Sequence, residues 1–252
     1  MTQPKYYDGE RFKDAVQFRD IPEPVGNPLF WWPMTNGWSS DSTGFGQGTV
    51  HGAEWVRGNY AGGWALNGDG IDDYVRTTSW GGFGSSMNSG YSIAVTVKFS
   101  HDDDGRVLNV FSENPLSRLD IRVNQGGSGG TDIGNIACIT RDSNEDYLTT
   151  DAGRTDLNDG SRYRIIVVVD NPENNEMSMY VNGDTQPEND SLQDGPTDFV
   201  DFNRDVVFMA RNDGSLNIHL EAVIDNVIVY DRPLTTDDIE EDYRRQPWSE
   251  VN

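Results

Sequence analysis

The segment GGWALNGDGIDDYVRTTS, residues 62–79, places Asn67, Asp69, Asp72 and Asp73 between two apolar, strand-like pieces. Carboxylates gathered this closely suit a hard cation such as calcium, which takes about six to eight oxygen ligands. The same residue types also turn a chain without any ion, because glycine supplies positive φ and Asn and Asp side chains bond nearby backbone. Asp102, Asp103 and Asp104 in HDDDGR form a second acidic loop, read as a solvated turn. Asp225 differs, because it interrupts the apolar run AVIDNVIVY. A buried carboxylate is costly unless paired or coordinating, so Asp225 is expected to meet either backbone amides or a cation. For stacking against a sugar ring the candidate is TSWGGFGSSMNSG, where Trp80 and Phe83 lie among glycines that cannot bury them locally. Exposed apolar groups of this kind mark contact sites, and plugging the end of a sandwich is the competing reading for both rings. Nucleophilic hydrolysis has little to build on, since His51, His101 and His219 have no Gly-x-Ser-x-Gly partner.

The elements that must position these residues are mostly strands. From Leu29 onward, short β-rich runs such as LFWWPM, SIAVTVKF, RVLNVF, LDIRV, IACIT, YRIIVVVD, MSMYV, VVFMA and AVIDNVIVY are separated by Gly, Asn and Asp. In SIAVTVKF, Ile93, Val95, Val97 and Phe99 alternate with Ser92, Ala94, Thr96 and Lys98, which turns one face inward. Ile165 to Val169 is apolar throughout and reads as a central strand covered on both faces. Asn182-Gly183 follows MSMYV directly and signals a type I′ hairpin, with a short return strand near Asp184 to Gln186. One helix is expected, TTDDIEEDYRR after Pro233, with a threonine cap, acidic residues in its first turn and Arg244 and Arg245 at its end. Many short strands with almost no helix predict an all-β fold, a two-sheet antiparallel jelly-roll sandwich with one short C-terminal helix. Trp31, Trp32, Trp55 and Trp64 fall in strand-like runs and are assigned to packing. Residues 1–27 read as an extended arm leading into the sandwich, residues 28–245 as the sandwich with its closing helix, and residues 246–252 as a tail.

Composition excludes several function classes. Of 252 residues 35% are hydrophobic, enough for a core. No stretch approaches the roughly 18 apolar residues of a membrane span. Acidic residues number 42 against 19 basic ones, a net charge of −23, and Lys5, Lys13 and Lys98 are the only lysines. Such a charge destabilises a compact fold by self-repulsion in dilute buffer and far less near 1 M salt, where the Debye length is about 3 Å. The balance therefore suits concentrated salt. No run of Lys or Arg forms the basic stripe that nucleic acid needs. Cys138 is the only cysteine, so neither an intrachain disulfide nor a cysteine metal cluster is expected. The first twenty residues lack the basic-then-apolar run of a secretory signal, and with Met1 as the start synthesis in the cytoplasm is expected.

PLFWWPMTNGWSSDSTGFGQGTVHGAEWVRGNYAGGWALNGDGIDDYV, followed by YSIAVTVKFS, YRIIVVVDNPENNEMSMYVNGDTQ and AVIDNVIVYDRPLTTDDI in that order, resembles the laminin G-like branch of the concanavalin A-like lectin and glucanase superfamily. The resemblance covers about residues 28–240. It implies two packed, curved antiparallel sheets of about six or seven strands each. In that setting residues 62–79 become a strand, a tight turn and a strand, with Leu66 and Tyr74 in the core and Asp72 and Asp73 satisfying backbone donors, which outweighs the metal reading. It also implies a possible structural calcium joining the N-terminal loop to the last strand, through Asp41, carbonyls near Gly44 and Gly46, and Asp225. The glucanases of the superfamily carry a Glu-x-Asp-x-Glu strand, and this chain has none: Glu188-Asn189-Asp190 continues with Leu192, and Glu240-Glu241-Asp242 with Arg244.

The expected function is therefore non-catalytic. The chain reads as a structural and recognition component of an extracellular particle, a virion surface protein of a halophile virus, with binding to a cell-surface glycan through Trp80 and Phe83. Its partners would be other particle proteins and further copies of itself, docked by Tyr6, Tyr7, Phe12 and Phe18 of the arm, whose apolar surface exceeds what a solvated linker needs. The alternative is a glycan-binding or glycan-cleaving module of a larger exported protein.

Overall fold

Alternation of apolar and small or polar residues at period two builds this molecule. The computed structural model describes residues 23–33, 48–58, 64–77, 83–111, 117–124, 133–144, 146–171, 176–186, 199, 202, 205–212 and 215–246. In chain order the elements are β1 (Phe30–Trp32), β2 (Thr49–His51), β3 (Glu54–Arg57), β4 (Trp64–Asn67), β5 (Tyr74–Thr77), α1 (Phe83–Met87), β6 (Tyr91–Lys98), β7 (Gly105–Phe111), β8 (Arg118–Val123) and β9 (Ile136–Arg141). There follow β10 (Tyr147–Asp151), β11 (Arg162–Asn171), β12 (Glu176–Val181), β13 (Asp184–Thr185), β14 (Val206–Phe208), β15 (Arg211–Asn212), β16 (Leu216–Asn217), β17 (Val223–Tyr230) and α2 (Thr236–Arg244). They form an eight-stranded sheet, β13-β12-β11-β6-β17-β4-β3 with β1 also on β17, and a seven-stranded sheet, β10-β9-β8-β7-β14-β5-β2. The small hairpin β15-β16 stands apart from both. Every strand pair is antiparallel. The result is the jelly-roll sandwich that the sequence pattern predicts.

The main core lies between the sheets. Ile93, Val95 and Val97 of β6, Ile165, Val167 and Val169 of β11, and Leu119, Ile121 and Val123 of β8 all contribute to it. Ile166 and Val168 of β11 point the other way, into a second cluster with Ala94, Ile228, Tyr230, Leu234 and Ile239, where α2 covers the eight-stranded sheet. This two-sided burial is why residues 165–169 are apolar without alternation. The helix is held there by more than apolar contact. Arg164, fully buried, donates from Nε and Nη2 to the two Asp242 carboxylate oxygens at 2.7 and 2.9 Å and from Nη1 to the Asn226 carbonyl at 2.8 Å. Thr235 caps α2 reciprocally with Asp238: the Asp238 amide donates to the Thr235 hydroxyl at 3.2 Å, and the Thr235 amide to the Asp238 carboxylate at 3.0 Å. Between β12 and β13, Asn182 and Gly183 both have positive φ, 55° and 85°, as a type I′ turn requires.

Several expectations need correction. Tyr74 is not a core residue: it is half-buried on the outer face of β5, while its neighbour Val75 is fully buried. Residues 83–87 form a short helix that the glycine-rich sequence did not signal. The packed region starts before residue 28, since Pro24 and Val25 are buried and Arg245 Nη1 donates to the Glu23 carbonyl at 3.0 Å. It also runs one residue past 245, because Gln246 is buried and its Nε2 donates to the Asp242 carbonyl at 2.9 Å. Residues 1–22 of the expected arm, including Tyr6, Tyr7, Phe12 and Phe18, lie outside the described residues.

Candidate functional site

The acidic turn between β4 and β5 is built from its own hydrogen bonds. The Ile71 amide donates to Asp69 Oδ1 at 2.8 Å and the Asp69 amide to Asp73 Oδ2 at 2.9 Å. The other Asp73 oxygen presses on the β2–β3 turn, where a Cβ on Gly52 would stand 1.8 Å from Asp73 Oδ1 and φ is +76°. Only glycine fits there. Burial, and then the neighbouring Asp69 and Asp72 charges, raise the Asp73 carboxyl above its ordinary range despite the Asp69 amide. Carboxylate oxygens of Asp69, Asp72 and Asp73 lie within 4.8 Å of one another, so this is the place among the described residues that could hold a cation. The turn is fully accounted for by its backbone bonds.

Asp225 has a partner that the sequence did not suggest. Its buried carboxylate takes a hydrogen bond from Arg162 Nη1 at 2.8 Å, and Arg162 Nη2 in turn donates to the Arg57 carbonyl at 3.1 Å. A guanidinium from β11 thus satisfies the charge where a backbone amide or a cation was expected. Asp41, Gly44 and Gly46 lie outside the described residues. Phe83 cannot present a face to a sugar: it is 1% exposed, and its ring meets Phe30 at 6.1 Å and Tyr91 at 5.9 Å edge-on. The glycines beside it offer no local cover, but tertiary packing does. Trp80 lies outside the described residues.

The two sheets differ sharply on their outer faces. That of the eight-stranded sheet is apolar and sealed by α2. That of the seven-stranded sheet is aromatic at one edge and cationic at the other. At the β2–β5 edge, exposed His51 stacks on Tyr74 with centroids 4.3 Å apart and planes 17° apart. The Arg76 guanidinium lies 5.7 Å from the Tyr74 centroid, and the His219 ring lies tilted at 6.4 Å, its Nδ1 3.1 Å from the Asp73 carbonyl.

Farther across, β8 turns Arg118, Asp120 and Arg122 outward while Leu119, Ile121 and Val123 enter the core. Arg106 of β7 stands directly opposite Arg122, and Arg141 of β9 directly opposite Arg118. Like charges in facing positions oppose sheet formation. Asp120, between the two pairs, lies 3.1 Å from Arg106 Nε and accepts from Asn109 Nδ2 at 3.4 Å. Arg106 Nη1 also donates to Asp104 Oδ1 and, at 3.3 Å, to the Gly105 carbonyl. The hairpin leans in as well, its Asn212 amide donating to Asn109 Oδ1 at 2.9 Å. Arg106, Asp120 and Arg122 are buried, and Arg118, Arg141 and Arg211 are half-buried above them. Burial foremost, with the Arg106 and Arg118 charges, pushes the Arg122 guanidinium down to about 10 against the pull of Asp120 and Asp104. Arg118 is lowered by burial and by Arg211, Arg141 and Arg106, with Asp120 opposing. Both remain cations at neutral pH. Sequence reading missed this cluster because its members are scattered from 106 to 211; only Arg118-x-Asp120-x-Arg122, at strand period, shows a shared face.

That strand also bears on catalysis. A retaining glycosidase sets two carboxyl groups about 5 to 5.5 Å apart across the sugar. Here β8 offers one carboxylate flanked by two guanidiniums.

Solved structures with the same fold come from a toxin. A botulinum neurotoxin serotype D binding domain superposes with a TM-score of 0.64 at 15% identity, over 88% of this chain and 53% of its own. The receptor-binding domain of a C/D mosaic serotype gives 0.63 at 13% identity, over 88% and 52%. A serotype D ligand-binding domain in complex with N-acetylneuraminic acid gives 0.61 at 14%, again over 88% and 52%. The chain thus spans about half the length of each, and the likeness is one of fold. No curated protein matches it in sequence. The family model of the concanavalin A-like lectin/glucanases superfamily matches residues 68–240, from the acidic turn to the closing helix, and the chain belongs to that family.

Proposed function

We propose that this chain is a non-catalytic recognition domain that presents the outer face of its seven-stranded sheet to a glycan or receptor on a cell surface. The observation that carries the reading is the inequality of the two sheets. One outer face is closed by a helix; the other displays His51 backed by Tyr74 and Arg76 beside a bank of guanidiniums. An aromatic face with polar groups next to it is the usual means of holding a sugar ring, which stacks its C–H face and hydrogen-bonds its hydroxyls. Fold neighbours that are receptor-binding domains, one of them in complex with N-acetylneuraminic acid, lend support. The domain would serve on the surface of an extracellular particle. A virion of a halophile suits the −23 charge, with residues 1–22 docking onto neighbouring particle proteins or further copies of the chain. A structural calcium through Asp41, Gly44, Gly46 and Asp225 belongs to the same proposal.

The test is binding of the labelled full chain, in concentrated potassium chloride, to an array of cell-surface glycans and to intact cells. Binding that falls about tenfold in a His51→Ala, Tyr74→Ala double variant of unchanged melting point is expected, in line with the loss of one aromatic contact. Absence of binding to every glycan and cell tested contradicts the proposal.

A further inference from the structure

The net charge of −23 makes the gathering of arginines on one sheet face the least expected feature of the molecule. Arg106, Arg118, Arg122, Arg141 and Arg211 converge there around two carboxylates, Asp104 and Asp120. Asp151, at the far end of β10, turns its Oδ1 to its own Gly153 amide at 2.7 Å. Two arginine pairs facing each other in register are a burden to a sheet unless an anion offsets them. The floor is rigid, because Arg106 is tied to Asp104, Asp120 and the backbone, and its burial strengthens the local field. The rim is accessible, with Arg118, Arg141 and Arg211 half-buried and Tyr147 opposite Arg141.

We propose that this rim, over the Arg106–Asp120–Arg122 floor, is a binding site for the oxyanion of an acidic saccharide, a carboxylate or a sulfate ester. The inference rests on the recognition reading above and names its ligand class. Guanidiniums in fixed positions match the paired oxygens of either group and bond them bidentately. Tyr147 and the His51–Tyr74 stack on the same face supply contacts for a neutral sugar body. An extended polyanion such as nucleic acid is disfavoured, because the rest of the surface would repel its other charges. In concentrated salt, where the Debye length is about 3 Å at 1 M, long-range attraction is gone and short bidentate hydrogen bonds remain.

Calorimetric titration of the full chain in concentrated potassium chloride with sialyllactose, sulfated lactose, lactose and a single-stranded oligonucleotide tests the site. Binding of either acidic sugar at least about tenfold tighter than lactose is expected, with Arg118→Gln and Arg141→Gln each weakening it by about tenfold, the value of one charge-assisted contact. The preferred acid, carboxylate or sulfate, identifies the source. Both variants alter rim residues, and melting curves like the parent's exclude loss of fold as the cause. Equal binding of lactose and the acidic sugars, or insensitivity to both substitutions, overturns the anion site while leaving glycan recognition standing. Tighter binding of the oligonucleotide overturns the saccharide assignment. No binding of any probe overturns the site, and recognition itself then stands or falls on the array and cell assay.

Discussion

At Asp73 two demands conflict. Its carboxylate is needed as an acceptor, holding the Asp69 amide and the β2–β3 turn, yet burial and the charges of Asp69 and Asp72 raise its pKa. An acid whose folded pKa lies above its unfolded one favours folding when protonated. Its contribution is therefore lost as pH rises from the unfolded value near 3.8 through the folded one. Asp73→Asn keeps an acceptor oxygen and removes the charge, so the variant should melt at or above the parent at neutral pH and lose that difference below about pH 4. Melting curves across this range decide it; a variant destabilised equally at all pH values would mean the second carboxylate oxygen is indispensable. Calcium added to the parent is the companion measurement, since a bound cation would invert the sign by favouring the ionised form. Asp225 shows the complementary case, a buried carboxylate given its counter-charge by Arg162 two strands away. The sequence signalled that Asp225 needed a partner; it could not say which, because the partner is fixed only by sheet order.

Among elements, α2 is the one whose removal would alter the architecture most. Its apolar contact through Ile239 and Leu234 closes the outer face of the eight-stranded sheet, and the Arg164–Asp242 pair fixes its register. Asp242→Ala leaves a buried guanidinium uncompensated and should cost about 3 to 5 kcal/mol, whereas replacing both partners by hydrocarbon, Arg164→Met with Asp242→Leu, should recover most of it. Chemical denaturation of the single and double variants measures this, and a single-variant loss under about 1 kcal/mol would contradict the assigned pairing. The helix, the Asn182-Gly183 hairpin and strands β6, β11 and β17 were all legible in the sequence, because caps, turn residues and apolar periodicity are local signals. The strand β10 was not. In YLTTD the outward residues Thr149 and Asp151 are buried polar groups, so the alternation that reveals an ordinary half-buried strand is missing. Phe83 failed in the opposite sense: its glycine neighbours suggested exposure, and Phe30 and Tyr91, distant or separated by a turn in sequence, supply the cover. The arginine face was the least legible feature, since register across β7, β8 and β9 assembles it.

On the scale of the whole molecule, charge is distributed against its own average. A chain of net −23 gathers guanidiniums on one sheet and leaves its acidic residues largely elsewhere. Self-repulsion among those acids should make stability depend on salt, with the melting midpoint rising between about 0.1 M and 3 M potassium chloride as the Debye length falls from about 10 Å to below 3 Å. A flat or falling curve would remove the argument for a halophilic setting. Among the described residues no helix is long and apolar enough to cross a membrane. The central claim is narrower than these: that recognition occurs on the outer face of the seven-stranded sheet, since α2 closes the other. Nuclear magnetic resonance of backbone amides and arginine side chains, recorded as the array's best-bound glycan is added, tests it most directly. The account predicts that the perturbed signals cluster on β2, β5, β7, β8 and β9, including the side chains of Arg118 and Arg141. Perturbations confined to α2, the acidic turn or the strand edges of the eight-stranded sheet would contradict it.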